Sequence, residues 1–368
     1  MRVPQRILLG PGPSTVDPRV LRAMATPLVG HLDPVFLEIM NEVMQDLRYV
    51  FGTENQLTFP MSGTGSAGME TVLVNLLEPG DHALICVNGV FGTRMCDIAE
   101  RAGARVTRVD APWGAPIDPA DVKAALERDR VDLVAIVHAE TSTGVLQPLE
   151  EIAQMVREHG ALFVVDAVTS LGGVAVDVDK RLIDACYSGT QKCLSCPPGL
   201  SPVTFGPRAE ERLARRKRKV QSWYLDVTMI SQYWGAERFY HHTAPVSMMY
   251  ALYEALQIVK EEGLERREER HRAISRLFCE GLADLGLEPL VPEAYRSPML
   301  ITVKVPDGID EARVRRFLLD RFNIEIGGGL GDLKGKVWRV GLMGSSCTEN
   351  NVILVLEALR QALEAERK

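Results

Sequence analysis

Phe163-Val164-Val165-Asp166-Ala167, followed by Ser188-Gly189-Thr190-Gln191-Lys192, is the stretch from which the fold of this chain is read. The first is an apolar strand ending in an acid, and the second is a polar turn ending in a lysine. The interval between them leaves room for one crossover excursion. That places both side chains at crevice-facing strand ends of an open α/β sheet. Outward from this pair, short apolar strands alternate with amphipathic helices from about residue 55 to 206, the pattern of a mainly parallel sheet covered on both faces. The expected strands are Leu57–Pro60, Ala83–Val87, Arg105–Val109, Leu133–Val137, Leu162–Val165, Ala185–Ser188 and Pro202–Phe205. Helices are expected to start near Ser66, Phe91, Pro119 and Leu149, with Asp118-Pro119 supplying an N-cap and a first-turn proline.

Beyond Thr243 the pattern predicts one long helical stretch to about Leu285. Strand Met299–Val305, helix Asp310–Phe322, strands near Ile324–Ile326 and Lys336–Val340, and a final helix Glu349–Glu366 follow. That order predicts a second, smaller α+β domain of about 100 residues. The expected organisation is an N-terminal arm over 1–20, a large domain over 21–260 and a small domain over 261–368.

The chain of 368 residues is 46% hydrophobic, enough for a well-buried core in such a pair of domains. Its formal charge of −7 argues against a nucleic-acid surface. The basic run Arg215-Arg216-Lys217-Arg218-Lys219 reads as solvated surface or the edge of an anionic active-site mouth. Cys193 and Cys196 form a C-x-x-C, but no second pair stands at zinc spacing, so no metal site is expected. All seven cysteines read as packed thiols of a reducing compartment. The first apolar run is too short for a signal sequence, and no run approaches a membrane span. These features predict a soluble, cytoplasmic protein.

Taken singly, Asp166 reads as a helix N-cap and Lys192 as a surface lysine. As a pair they are the two groups that pyridoxal phosphate requires. A carboxylate keeps the pyridine nitrogen protonated, and an amine binds the aldehyde as a Schiff base. Gly63-Thr64-Gly65-Ser66-Ala67-Gly68 precedes a helix and offers backbone N–H groups and hydroxyls as a phosphate cradle. A nicotinamide site predicts an acid at the end of the next strand, where Asn88-Gly89 stands instead. Phe91 is either core or a ring that stacks on a pyridine. Thr141, at another strand end, is placed to bond a cofactor oxygen or its aspartate partner, and His138 reads as a packed strand residue. Arg339, alternating with apolar neighbours, is either a structural ion pair or a bidentate clamp on a substrate carboxylate.

As a set these residues resemble the class V aminotransferases of pyridoxal phosphate fold type I, and within them the alanine–glyoxylate (serine–pyruvate) group. The resemblance runs from Leu8-Leu9-Gly10-Pro11-Gly12-Pro13-Ser14 to the last helix. It also rests on Glu140-Thr141-Ser142-Thr143-Gly144-Val145-Leu146-Gln147-Pro148, Tyr240-His241-His242-Thr243 and Gly327-Gly328-Gly329-Leu330-Gly331. It implies that Lys192 and Asp166 are the catalytic pair and that Thr64, Gly65, Ser66 and Gln191 hold the phosphate. Phe91 would stack on the ring where the group often has tryptophan, and Ser66 stands where it often has histidine. Thr141 and Val168 would flank the ring, and Arg339 would bind the substrate carboxylate.

The resemblance further implies a homodimer with shared sites, Tyr240 and Thr243 reaching the neighbouring subunit's phosphate. Gly30 and His31 would lie at the substrate mouth, in a segment that departs from the animal enzymes. The implied activity is ping-pong transfer of the amino group of a small L-amino acid, alanine or serine, to glyoxylate or another small 2-oxo acid. The alternatives are an aspartate or phosphoserine donor, or a lyase of the desulfurase type. Against the lyase, Phe91 stands where desulfurases usually place histidine. The ending Glu366-Arg367-Lys368 lacks the peroxisomal address seen in some relatives.

Overall fold

A computed structural model describes residues 3–366 of the chain. Seven strands form the large sheet: β1 (Leu57–Ser62), β2 (His82–Val87), β3 (Arg105–Asp110), β4 (Leu133–Val137), β5 (Leu162–Asp166), β6 (Ala185–Tyr187) and β7 (Leu200–Phe205). Their spatial order is β1-β7-β6-β5-β4-β2-β3. All pairings are parallel except those of β7, which runs antiparallel to both its neighbours. The sheet is therefore mainly parallel, as the sequence predicts.

Strands β2, β4 and β5 are buried along their whole length, as continuous apolar strands covered on both faces must be. The helices that cover them begin where capping chemistry allows. Two precede β1: α1 (Pro18–Met24) and α2 (Pro34–Phe51), capped by Asp17 and Asp33 with proline in the first turn. Helices α3 (Gly65–Leu76), α4 (Val90–Arg101), α5 (Pro119–Arg128) and α6 (Glu150–His159) alternate with the strands. Asp118 caps α5 by accepting from the Ala120 N–H at 2.9 Å.

Helices α7 (Pro207–Ala214) and α8 (Val227–Trp234) lead to α9 (Val246–Glu262) and α10 (Leu264–Asp284). The single long helix expected after Thr243 is thus two helices. Gly263, at φ 82° and ψ 142°, ends one and starts the other, a left-sided conformation that glycine adopts without steric cost. The small domain holds an antiparallel sheet of β8 (Leu300–Lys304), β9 (Gly327–Gly328) and β10 (Val337–Gly341), in the order β8-β10-β9. Helices α11 (Glu311–Phe322) and α12 (Glu349–Glu366) pack on it.

Among the described residues two large apolar cores result, with a third, smaller cluster of Ala139, Val174, Cys193, Met299, Leu300 and Met343. One surrounds the large sheet and reaches Val259; the other gathers Phe278, Leu282, Val314, Trp338, Val340 and Leu359. Leu9 belongs to the second core. The arm is therefore only partly irregular: Ile7–Leu8 pairs in parallel with Ile324–Glu325, and the segment then crosses back toward Lys192. The basic run is structural in part. Arg216 donates to the carbonyls of Asn75 and Leu77 at 2.6 and 2.9 Å, satisfying the C-terminal end of α3. Among the described residues no helix is long and apolar enough to cross a membrane.

Candidate active site

The parallel register puts Val137, Asp166 and Tyr187 in one row at the C-terminal ends of β4, β5 and β6. Asp166 is 2% exposed. Its Oδ1 accepts from the Val168 N–H and its Oδ2 from the Tyr187 hydroxyl, both at 2.8 Å. Burial raises its carboxyl to about 7, and the two hydrogen bonds only partly oppose that. Asp166 makes no ion pair among the described residues.

Lys192 follows the turn after β6 and is 7% exposed. Its Nζ donates to the Pro11 carbonyl of the arm. A Cβ on Gly12, at φ +115°, would lie 2.7 Å from Nζ, so only glycine permits this approach. Ser14 secures the arm: its Oγ donates to the Lys192 carbonyl at 2.7 Å and its N–H to that of Gln191 at 2.9 Å. Burial first, and then the Arg339 charge, lowers the Lys192 amine to about 8.

Thr64, at the N-cap of α3, makes no side-chain capping bond, which leaves its hydroxyl and the first N–H groups of the helix unspent. A Cβ added to Gly65 would stand 3.4 Å from Val168 Cγ2 and 3.5 Å from Gly189 Cα. One added to Gly189 would stand 2.7 Å from Gln191 Oε1. Gly65, Val168, Gly189 and Gln191 thus lie close together, with Thr64 and Ser66 flanking Gly65 at the start of α3. The buried Gln191 Oε1 has no hydrogen-bond partner among the described residues.

Phe91 lies half-buried in the first turn of α4. Its N–H donates to Glu140 Oε2 at 3.1 Å. The other oxygen of Glu140 accepts from the N–H and Oγ of Ser142 at 2.9 and 2.6 Å. Ser142 Oγ in turn accepts from the Val90 N–H at 2.9 Å. Two side chains from the turn after β4 therefore cap α4 and fix the ring's backbone.

Arg339 on β10 is 6% exposed and makes no ion pair among the described residues. Its Nε donates to the Gly328 carbonyl at 2.7 Å and its Nη1 to that of Thr141 at 3.0 Å. Three of its five N–H donors stay uncommitted. Burial lowers it to about 10, where it remains a cation at neutral pH.

His138 is packed, as expected, but stands just past the end of β4 rather than in it, and burial pushes its imidazole down to about 3. Gly30, His31, Tyr240 and Thr243 make no hydrogen bond with Lys192 or Asp166 among the described residues. The His31 and Tyr240 rings lie 5.4 Å apart, and Tyr240 is 61% exposed. This group adjoins the cradle through His242, whose Nε2 lies 2.7 Å from Ser62 Oγ. Sequence reasoning missed Tyr187, the Glu140–Ser142 cap and the approach of Pro11 and Gly12. Tyr187 had one available signal, its place at the end of the strand beside Asp166.

Residues 8–334 match the family described as aminotransferase class-V. The chain belongs to the class-V aminotransferases. It is similar to the (S)-ureidoglycine–glyoxylate transaminase of Bacillus subtilis, 43% identical over 98% of this chain and 91% of that protein. It is equally similar to the alanine–glyoxylate aminotransferase of Rattus norvegicus, 43% identical over 99% of this chain and 89% of the relative. A crystal structure of the alanine–glyoxylate aminotransferase from Nostoc sp. superimposes with a TM-score of 0.98, at 50% identity, covering 99% of this chain and 96% of that one. The chain is accordingly a transaminase of the pyridoxal-phosphate-dependent class, with fold type I architecture.

The residues fit that cofactor. A buried acid that makes no salt bridge among the described residues suits a protonated pyridine nitrogen. A buried amine poised near neutrality suits an aldehyde. The unspent N–H groups and hydroxyls of the cradle suit a phosphate.

Proposed function

We propose that this transaminase binds pyridoxal phosphate through Lys192 and Asp166 and transfers the amino group of a small L-amino acid, alanine or serine, to glyoxylate. The supporting observation is the pairing of a buried acid at one strand end, without a salt bridge among the described residues, with a buried amine lowered to about 8 in the turn after the adjacent strand. Glyoxylate is the acceptor named for both relatives that are 43% identical, whereas their donors differ. Alanine is the donor named for the more similar solved structure.

When bound, pyridoxal phosphate supplies an electron sink that makes an amino acid's α-proton acidic enough to remove. The chain's own residues do the rest. Arg339 directs its three free N–H donors at the substrate α-carboxylate and orients the α-carbon. Lys192 Nζ, partly neutral at physiological pH, would accept the α-proton of the donor and, in the second half-reaction, return a proton to the α-carbon of the acceptor. Asp166, held by Val168 N–H and Tyr187 Oη, keeps a proton on the ring nitrogen. Thr64, Gly65, Ser66 and Gln191 would hold the phosphate, and Phe91, Thr141 and Val168 would hold the ring.

We place the domain boundaries after residues 20 and 260. The working unit is a homodimer in which Tyr240 and Thr243 complete the partner's phosphate site, with Gly30 and His31 at the substrate mouth. The enzyme is assigned to the cytoplasm.

The test is the visible spectrum of the purified protein with L-alanine, L-serine, L-aspartate and (S)-ureidoglycine added separately. A yellow band that bleaches with alanine or serine and returns with glyoxylate is expected. A protein that stays colourless after incubation with pyridoxal phosphate overturns the cofactor assignment. Bleaching by ureidoglycine or aspartate alone overturns the donor. Lys192→Ala is expected to abolish turnover.

A further inference from the structure

The phosphate cradle is uncharged. Thr64, Gly65, Ser66 and Gln191 offer hydroxyls, amides and a helix N-terminus, yet a phosphomonoester carries a charge of about −1.5 to −2 near neutral pH. Two residues expected from a neighbouring subunit, Tyr240 and Thr243, are neutral as well. His242, which touches Ser62 just before the cradle, is pushed down to about 4, chiefly by burial, and is uncharged at pH 7. One cation does touch the cradle among the described residues. Arg94, in the second turn of α4, donates from Nη1 to Ser66 Oγ at 3.2 Å. The same guanidinium lies 5.0 Å from the centroid of the Phe91 ring.

Arg94 therefore stands between the helix that offers the phosphate site and the aromatic that faces the cofactor ring. It is also unspent. Its neighbours Arg101 and Arg108 pair with Asp97 and Asp110 at 2.9 and 2.5 Å. Arg94 pairs with no carboxylate among the described residues, although Asp97 lies on its own helix. Among the described residues only its Nη1 makes a hydrogen bond, which leaves a planar donor edge of the kind that binds phosphate oxygens in pairs.

We propose that Arg94 is a further cofactor-binding residue, its guanidinium supplying the cationic contact to the phosphate that the neutral cradle lacks. Ser66 then acts as the tether that keeps Arg94 over the site, and Phe91 as the platform that flattens the guanidinium. The inference rests on the reading that pyridoxal phosphate is the cofactor. It assigns to an arginine of the neighbouring helix a duty that a side chain within the cradle, such as a histidine at position 66, could otherwise carry.

The test uses the full-length protein stripped of cofactor and titrated with pyridoxal phosphate, with pyridoxal, which lacks the phosphate, and with inorganic phosphate as competitor. A lost charge-assisted hydrogen bond predicts that Arg94→Gln weakens pyridoxal phosphate binding about tenfold or more. Pyridoxal affinity should stay within about twofold, and competition by inorganic phosphate should fall in parallel. Arg94→Lys, which keeps the charge but not the fork, should lie between. Arg94 is exposed, so both variants should melt with the wild type; if Arg94→Gln does not, Arg94→Lys carries the comparison. Equal losses for pyridoxal and its phosphate would show that Arg94 acts only through the Phe91 ring, and unchanged binding would show that it does not act at all. Either result overturns the proposal while the cofactor reading stands. A wild-type protein that takes up no pyridoxal phosphate overturns both.

Discussion

Burial moves the two central ionisable groups toward each other, because an apolar surrounding penalises charge of either sign. Asp166 rises to about 7 and Lys192 falls to about 8. Only the neutral amine is nucleophilic, so in cofactor-free protein roughly a tenth of Lys192 is reactive at pH 7, against under a thousandth of an ordinary lysine. Acetic anhydride labelling read by mass spectrometry from pH 6 to 10 should give Lys192 an inflection near 8; one near 10 contradicts the burial. For Asp166 the sign runs the other way. Its folded-state proton is held more tightly than in the unfolded chain. Its contribution to stability is therefore present below about pH 4 and lost as pH rises through 7. Cofactor-free wild type should lose melting temperature relative to Asp166→Asn between pH 5 and 8, and saturating pyridoxal phosphate should reverse that difference. Arg339→Ala should raise KM for the amino donor about 30-fold or more while cofactor affinity persists, since it removes a charged clamp and nothing from the cradle. Asp166, Lys192 and Arg339 were all legible in the sequence, Asp166 and Arg339 because each is a charged residue at the end of, or within, an apolar strand, and Lys192 because it closes the polar turn that follows one, five residues beyond Tyr187 rather than at the strand end itself. Tyr187 was legible only through its place at the end of the strand beside Asp166, since an aromatic on a buried strand does not itself announce which neighbour its hydroxyl will meet.

The N-terminus of α4 shows what elements contribute. Helix starts carry unpaired N–H groups. At α5 they are answered locally, by Asp118 just ahead of Pro119, and the sequence announces it. At α4 they are answered from another strand's turn, by Glu140 and Ser142, and no local signal exists. Gly89, the residue before α4, is extended at φ 173°, so its role is space rather than backbone freedom. A Cβ there would lie 2.4 Å from Ser142 Oγ and 2.5 Å from Glu140 Cδ. Gly89→Ala should cost about 1–3 kcal/mol in urea denaturation through overpacking, and should displace the ring of Phe91. Asp118→Ala should cost about 1 kcal/mol and leave cofactor binding unchanged. Gly263 marks the other limit of local reading. The helical pattern continues through it, and the break between α9 and α10 follows from a backbone angle that periodicity does not encode.

At the scale of the molecule, the site is assembled by contacts between domains and, as proposed, between subunits. Arg267 of α10 donates to the carbonyls of Gly172 and Cys193 at 2.7 and 2.5 Å, and Arg270 reaches those of Gly344 and Cys347 at 3.0 and 2.7 Å. The residue after Lys192 is thus tied to the helix that opens the small domain. If Tyr240 completes the partner's site, mixing Lys192→Ala subunits with Tyr240→Ala subunits should restore activity. Half of randomly mixed dimers are hybrid and each hybrid has one intact site, so about a quarter of wild-type activity is expected. No recovery after exchange would mean that each protomer uses its own Tyr240. The sequence alone determined the mainly parallel seven-stranded sheet, the crevice at its strand ends and the acid–lysine pair, because alternation, capping and strand-end placement are properties of neighbouring residues. Tertiary structure alone decided that Pro11 and Gly12 cover Lys192, that Tyr187 holds Asp166, that Glu140 caps α4 and that Arg94 hangs over Ser66. Each of those contacts joins segments far apart along the chain, and only the packed sheet and the returning arm bring them within hydrogen-bond reach.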